Sequence, residues 1–183
     1  RAVMESYDRE MRRVVITGPE SSGKTTLALD LALRLNGACA PEVAREFLEE
    51  LGRPYGEQDL IGIARAQIAA EESMAARHGA KEFLVCDTDL ITIRIWSEEK
   101  FGRCDPWIIE QTHLRPYDLW LLCTPDMPWE PDPMRENPHD RDRLFDVYAR
   151  TLTALKKPFV VMRGTHPERI LNATAAVSSL SSK

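Results

Sequence analysis

Residues 18–25 read Gly18-Pro19-Glu20-Ser21-Ser22-Gly23-Lys24-Thr25, which matches the pattern G-x-x-x-x-G-K-[ST]. In this pattern the backbone N–H groups of the loop cradle phosphate oxygens. The lysine reaches the β- and γ-phosphates, and the threonine hydroxyl is a ligand for Mg²⁺. The octapeptide therefore predicts a phosphate-binding loop, or P-loop, that binds ATP. The residues expected to contact ATP are Gly18, Glu20, Ser21, Ser22, Gly23, Lys24, Thr25 and Thr26.

The segments on both sides of the loop supply the context that this motif requires. Residues 13–17 form a short β-branched run that is typical of a buried strand. Residues 26–35 are rich in leucine and alanine, which favour helix, and Asn36-Gly37 predicts the end of that helix. A strand, a glycine loop and a helix in this order argue against a chance match.

The composition is that of one globular domain. The chain has 183 residues and a net charge of −5, which argues against a general nucleic-acid-binding surface. No apolar run approaches the length of a membrane span, and the polar N-terminal residues do not resemble a signal peptide. The four cysteines lack C-x-x-C spacing and the four histidines lack metal-ligand spacing. These patterns predict free thiols in a reducing cytoplasm.

Strand-like and helix-like segments alternate along the whole chain. Strands are predicted at 13–17, 38–40, 82–87, 117–124 and 159–162. Helices are predicted at 26–35, 43–51, 58–78, 88–100, 107–114, 140–157 and 167–180. This alternation predicts a three-layer α/β fold, with a five-stranded parallel sheet between two layers of helices. We expect residues 1–12 to be an N-terminal extension and residues 13–183 to be one domain.

Acidic residues follow two of the predicted strands. In open α/β sheets, ligands bind beyond the carboxyl ends of the strands. Asp87 closes an apolar strand, where a carboxylate can hold Mg²⁺ together with Thr25; its alternative role is to cap the next helix. Asp89 either caps that helix or binds a hydroxyl of the substrate.

Glu42 follows the second predicted strand and is a candidate general base. A kinase that phosphorylates a hydroxyl benefits from a carboxylate within hydrogen-bond reach of it. The alternative is an ordinary acid in the first turn of a helix, where the helix dipole favours it. Arg45, one turn later, either holds the acceptor or pairs with a nearby acid such as Glu49.

Residues 125–143 follow the fourth predicted strand and form a candidate lid. The first part is rich in proline and acid, which excludes a regular helix or strand. Arg141 and Arg143 come next and are expected to supply positive charge to the transferring phosphoryl group. The alternative is a solvated surface of alternating charges.

These segments together resemble the ribosylnicotinamide kinase domain of the NadR proteins. The matching stretches are GPESSGKTTL (18–27), PEVARE (41–46), DTDL (87–90), IWSEEKFG (95–102) and RENPHDR (135–141). The likeness runs from about Arg13 to Arg169, and its last two stretches are far more specific than the P-loop. It implies a P-loop kinase fold and MgATP-dependent phosphorylation of the 5′-hydroxyl of nicotinamide riboside.

The chain departs from the family pattern in its domain content. In NadR the kinase follows an adenylyltransferase domain, and a DNA-binding domain sometimes precedes both. Residues 1–12 have no room for either, so we expect a stand-alone kinase or an excised domain. A stand-alone kinase is free to use a different acceptor.

The acceptor implied by the resemblance carries a pyridinium cation. Trp96 and Trp129 offer aromatic faces for a cation, and Glu42 or Asp89 offers a balancing charge. Core packing is the alternative for either tryptophan. A kinase for another nucleoside and a regulatory nucleotide-binding module are the alternative functions. The lack of an N-K-x-D motif argues against a Ras-like GTPase.

Overall fold

The computed structural model of this protein describes residues 10–136 and 138–180. Five strands lie in this part of the chain: β1 (Arg12–Thr17), β2 (Ala38–Ala40), β3 (Phe83–Asp87), β4 (Leu119–Cys123) and β5 (Phe159–Met162). The helices described are α1 (Lys24–Arg34), α2 (Ala44–Leu51), α3 (Glu57–Arg77), α4 (Leu90–Phe101), α5 (Pro106–Leu114), α6 (Arg141–Ala154) and α7 (His166–Ser178).

The five strands form one parallel sheet in the order β2-β3-β1-β4-β5. Its central strands are apolar on both faces because helices cover both sides, as parallel sheets require. β3 and β4 are buried along their whole length. The sheet and its helices confirm the fold class predicted from the sequence.

Alternate residues of the strands supply two hydrophobic cores, one on each face of the sheet. Val14 and Ile16 of β1 pack with apolar residues of α1 and α7, whereas Val15 between them packs with α4 and α6. This separation follows from the strand geometry, in which successive side chains point to opposite faces. A third cluster joins α3, α4 and α5 beside the sheet.

Several boundaries differ from those predicted, and local hydrogen bonds explain the clearest difference. Helix α4 begins at Leu90 rather than at residue 88. Thr88 has a left-handed backbone with φ of 68°, and Asp89 caps the helix by accepting a hydrogen bond from the Ile91 N–H. The helix period alone does not show where such a cap falls.

The segment between β4 and α6 (residues 124–140, hereafter the β4–α6 segment) contains no helix or strand among its described residues. It corresponds to most of the candidate lid. No helix in the part of the chain that the structure describes is long and apolar enough to cross a membrane.

Leu121, in the middle of β4, provides a test of the core. Its side chain is 0% exposed and belongs to the cluster under α1 and α7. We expect Leu121→Ala to lower the free energy of unfolding by about 2–5 kcal/mol, through lost burial and a residual cavity. Urea unfolding measures the change. Leu171→Ala is the control, because Leu171 is 72% exposed; an equal loss in both variants would contradict this description of the core.

Candidate active site

The P-loop connects β1 to α1 at the centre of the sheet, and its first glycine is required by the backbone. Gly18 has φ of 138°, and a Cβ atom there would lie 2.7 Å from the carbonyl oxygen of Cys123. A side chain is therefore excluded by both the dihedral angle and the neighbouring strand. The close approach brings the loop down onto the end of β4.

Helix α1 begins at Lys24, directly after the loop. Its N-cap residue is Gly23, which has φ of 77° and no side chain to satisfy the first N–H groups of the helix. Such unsatisfied N–H groups, with the positive end of the helix dipole, make an anion-binding site. The Lys24 ammonium lies over the same loop and donates to the carbonyl oxygen of Pro19 at 2.8 Å.

Thr25 and Asp87 meet beside the loop. The Thr25 hydroxyl donates to Oδ2 of Asp87 at 2.7 Å, and Asp87 is 3% exposed. Burial raises the pKa of Asp87, while the hydrogen bond from Thr25 and the charge of Lys24 oppose this rise. The other oxygen, Oδ1, is buried and has no hydrogen-bond partner within the described residues. A hydroxyl beside a buried carboxylate with a spare oxygen is a donor set that fits Mg²⁺.

A cavity of about 440 Å³ opens over the P-loop. Its walls include the loop, the residues after β2, the last residue of β3, helices α2, α4 and α6, and the β4–α6 segment. Glu42 and Arg45, which follow β2, line the cavity together with Asp87. The cavity therefore brings together predicted phosphate-binding residues and the candidate general base.

Glu42 is partly buried in this wall. Burial raises the pKa of its carboxyl group above the usual range, and the charge of Lys24 opposes that rise. Asp87 adds a further rise because a second negative charge is unfavourable nearby. A carboxylate with a raised pKa is a stronger proton acceptor once it is ionised.

Arg45 takes a partner that the sequence did not indicate. Its guanidinium group makes two contacts with Asp132 of the β4–α6 segment, at 2.8 Å and 3.1 Å. Glu49, the predicted partner, contributes only a charge interaction. Arg45, which lines the cavity, thus joins helix α2 to the β4–α6 segment.

The β4–α6 segment also lies against the P-loop itself. The Ser21 hydroxyl accepts hydrogen bonds from the Glu130 N–H at 3.0 Å and from Arg135 at 3.3 Å. Arg141 donates to the carbonyl oxygens of Ser21 and Met127 at 3.1 Å and 2.7 Å. These contacts place two guanidinium groups beside the phosphate-binding loop.

Arg143, the second arginine of the candidate lid, lies elsewhere. It is exposed and pairs with Asp140 at 2.6 Å and with Glu99 at 2.5 Å. This pairing corresponds to the surface of alternating charges that the sequence offers as the alternative to a role at the transferring phosphoryl group. Arg141 and Arg143 are two residues apart on a helix, so they point in different directions.

A second cavity of about 300 Å³ adjoins the first. Both are lined by the same five residues, which form their common wall: Glu20, Leu48, Trp96, Met134 and Tyr148. In the second cavity the Lys100 ammonium lies 3.7 Å from the centre of the Tyr55 ring and 3.4 Å from Glu136. A cation on an aromatic face, with an acid nearby, is a favourable arrangement.

The predicted substrate contacts divide between the cavities and the protein interior. Trp96 lines both cavities. Trp129 instead lies beside the guanidinium groups of Arg135 and Arg141, 6.0 Å and 5.7 Å from its ring centre. Asp89 is buried, with one oxygen capping α4 and the other accepting from the Trp120 indole at 3.0 Å. The first contact is the helix cap, which is one of the two roles that the sequence offers for Asp89. Burial raises the pKa of this carboxyl group to about 7.

Sequence reasoning did not select two aromatic residues that line the cavities. Tyr148 belongs to the apolar stripe of α6, where it is indistinguishable from a core residue. Tyr55 lies in the short connection between α2 and α3, which carries no motif. Only the arrangement of the helices around the sheet brings these rings to the cavity.

The chain has recognisable relatives. The sequence pattern of a known family, described as an AAA domain, matches residues 13–169. The chain belongs to this AAA-domain family. It is also similar to the trifunctional NAD biosynthesis/regulator protein NadR of Salmonella typhimurium, with 30% identity over 139 residues. That match covers 73% of this chain but only 33% of the relative, so the chain spans about a third of the relative's length.

Solved structures share the fold of this AAA domain. A crystal structure of a NadR protein in complex with NR matches with a TM-score of 0.78 and 22% identity, over 91% of this chain and 51% of the other. Deoxyadenosine kinase from M. mycoides matches with a TM-score of 0.62 and 12% identity, over 91% and 99% of the two chains. These comparisons confirm the resemblance to NadR predicted from the sequence.

The raised pKa of Glu42 predicts a pH-dependent cost to stability. The charged form is disfavoured in the folded protein, so the unfolding free energy falls as pH rises from the ordinary value of 4.5 through the raised value. Glu42→Gln removes this cost. We expect the variant without ligands to be more stable than the wild type at pH 7.5, and the gain to vanish below about pH 4, where the carboxyl is neutral in both states.

Urea unfolding at the two pH values measures the Glu42→Gln effect. Glu50→Gln is the matched control, because Glu50 is an exposed acid on the neighbouring helix α2. A gain for Glu42→Gln that is the same at both pH values would show that burial does not disfavour its charge.

Proposed function

We propose that this chain is a kinase that transfers the γ-phosphoryl group of ATP to the 5′-hydroxyl of nicotinamide riboside, forming nicotinamide mononucleotide. The observation that carries the proposal is the cavity in which Glu42 faces the P-loop and Lys24. A phosphate cradle and a partly buried carboxylate in one cavity suit transfer of a phosphoryl group to a hydroxyl. The NadR relatives support the choice of acceptor, because they are named for NAD biosynthesis and a solved NadR holds NR.

In the proposed reaction, ionised Glu42 accepts the proton of the 5′-hydroxyl as that oxygen forms a bond to the γ-phosphorus. The bond from the γ-phosphorus to its bridging oxygen breaks, and ADP leaves with the electron pair. Lys24 and the N–H groups at the start of α1 stabilise the negative charge on the phosphate oxygens. Arg141 lies beside the loop and adds positive charge there.

We propose Thr25 and Asp87 as the residues that hold Mg²⁺. When bound, the ion supplies positive charge that neutralises phosphate oxygens. Asp87 is suited to this role because one of its buried oxygens lacks a hydrogen-bond partner in the described part of the chain. Without a cation, that oxygen is left in an unfavourable environment.

We place the base of the acceptor in the second cavity. Trp96 forms part of the wall between the two cavities, so an acceptor whose hydroxyl faces Glu42 would extend past this ring. Tyr55 and Trp96 offer aromatic faces to a pyridinium cation, and Glu136 offers a negative charge. Lys100 now lies on the Tyr55 ring and must move if the pyridinium takes its place.

We infer that the reaction takes place in the cytoplasm and involves only small molecules as partners. The four cysteines, Cys39, Cys86, Cys104 and Cys123, are free thiols, and free thiols persist in reducing compartments. The net charge of −5 is unfavourable for contact with a phosphate backbone.

Replacing Asp87 tests the proposed magnesium site. We expect Asp87→Asn to raise the Mg²⁺ concentration needed for half-maximal turnover by about tenfold or more, because a neutral amide is a weaker ligand than a carboxylate. The measurement is ADP formation against Mg²⁺ concentration. Asp146→Asn, at an exposed acid on α6, is the control and should leave the curve unchanged. An unchanged curve for Asp87→Asn would assign Asp87 a purely structural role beside Thr25.

The acceptor is tested by ADP formation with a panel of nucleosides. We expect a higher kcat/KM for nicotinamide riboside than for uridine, cytidine or thymidine, because only its base is a cation. Trp96→Ala should raise the KM for the riboside more than that for ATP, whereas Trp129→Ala should change the riboside KM less. Equal or better use of another nucleoside would favour the alternative nucleoside kinase, and acceptor-independent ADP release would favour a regulatory module.

A further inference from the structure

Arg169 is a fully buried arginine whose ion pair within the described residues is long and partly solvated. Its side chain is 0% exposed, and the nearest acidic oxygen, on Asp126, lies 3.8 Å away on a side chain that is 41% exposed. Burying a guanidinium group is costly unless polar groups compensate for the lost water. The groups that surround the guanidinium group must therefore offset the free-energy cost of its burial.

The compensation comes from backbone carbonyl groups of three separate segments. Arg169 donates to the carbonyl oxygen of Ser22 in the P-loop. It also donates to Thr124, directly after β4, at 2.8 Å, and to Gly164, after β5, at 3.1 Å. One planar guanidinium group therefore joins the P-loop to the ends of two neighbouring strands, a geometry that a lysine ammonium cannot reproduce.

The contact with Ser22 has a consequence for the phosphate site. The Ser22 carbonyl and the Gly23 N–H belong to one peptide unit, and in a trans peptide they point in opposite directions. Holding the carbonyl toward Arg169 therefore turns the Gly23 N–H away from it. Gly23 lines the large cavity, and a Cβ at this position would lie 3.5 Å from Nη1 of Arg169.

We propose that Arg169 is a positioning residue for nucleotide binding: it orients the Ser22–Gly23 peptide so that the Gly23 N–H is directed at a bound phosphate. The inference rests on the proposed function only in that the P-loop binds phosphates. Arg169 acts through the loop from the opposite side and does not touch the nucleotide. Preorganised N–H groups bind anions more strongly than groups that must first be ordered.

The test measures binding of AMP-PNP and of inorganic triphosphate, which has no base, by titration calorimetry of the whole chain. In Arg169→Met and Arg169→Lys we expect the Kd for both ligands to rise about tenfold or more, since neither side chain can hold the carbonyl groups of Ser22, Thr124 and Gly164 together. Ile170→Ala is the matched control, because Ile170 is a buried neighbour on α7 that packs into the core. It should lower the unfolding midpoint without raising either Kd.

Each outcome separates a positioning role from a structural one. A folded Arg169 variant with both Kd values within twofold of the wild type would overturn the inference, as would an equal loss of affinity in Ile170→Ala.

Should Arg169→Met fail to fold, Arg169→Lys keeps a charge in the interior, and its Gly23 amide resonance gives a second measurement. We expect that resonance to shift on triphosphate binding less than in the wild type; an equal shift would count against the proposal. Wild-type protein that binds neither ligand would remove the proposed function as well, whereas the results above concern Arg169 alone.

Discussion

The pairing of β1 with β3 places the ends of both strands at one edge of the sheet, and the site depends on it. Ile16 is opposite Asp87 in the parallel register, so β3 ends where the P-loop begins. This register brings the Asp87 carboxylate to 2.7 Å from a hydroxyl at the start of α1, although the two residues are 62 positions apart. The parallel sheet, held by apolar packing on both faces, thus positions Asp87 beside the start of α1.

The polar groups at this edge are kept at a cost to stability. Burial raises the pKa of both Glu42 and Asp87, which means that the fold disfavours the charges that the proposed reaction needs. Arg169 is likewise a charge buried among backbone carbonyls. Desolvation of this kind is characteristic of functional sites, and the apolar cores on the two faces of the sheet compensate for its cost.

Much of the fold could be predicted because its signals are local. The β-branched run before the P-loop and the apolar strand ending at Asp87 are both short, buried strands with clear ends. Helix boundaries depend on less regular features, as at Thr88, where a left-handed residue and a side-chain cap delay the start of α4 by two positions. Asp89 shows the limit of such reasoning, since a cap and a substrate contact require the same residue type at the same place.

The amino-acid sequence was sufficient to predict the P-loop, the alternation of strands and helices, and the acidic residues at the strand ends. Each of these features depends on residues that are neighbours in the sequence. Only the tertiary structure decided which side chains contact one another. Arg45 pairs with Asp132, Trp129 lies beside arginines, and Tyr148 reaches the cavity from an apolar helix stripe. These contacts join segments far apart in the chain. They depend on side-chain directions that only the packed helices and sheet define.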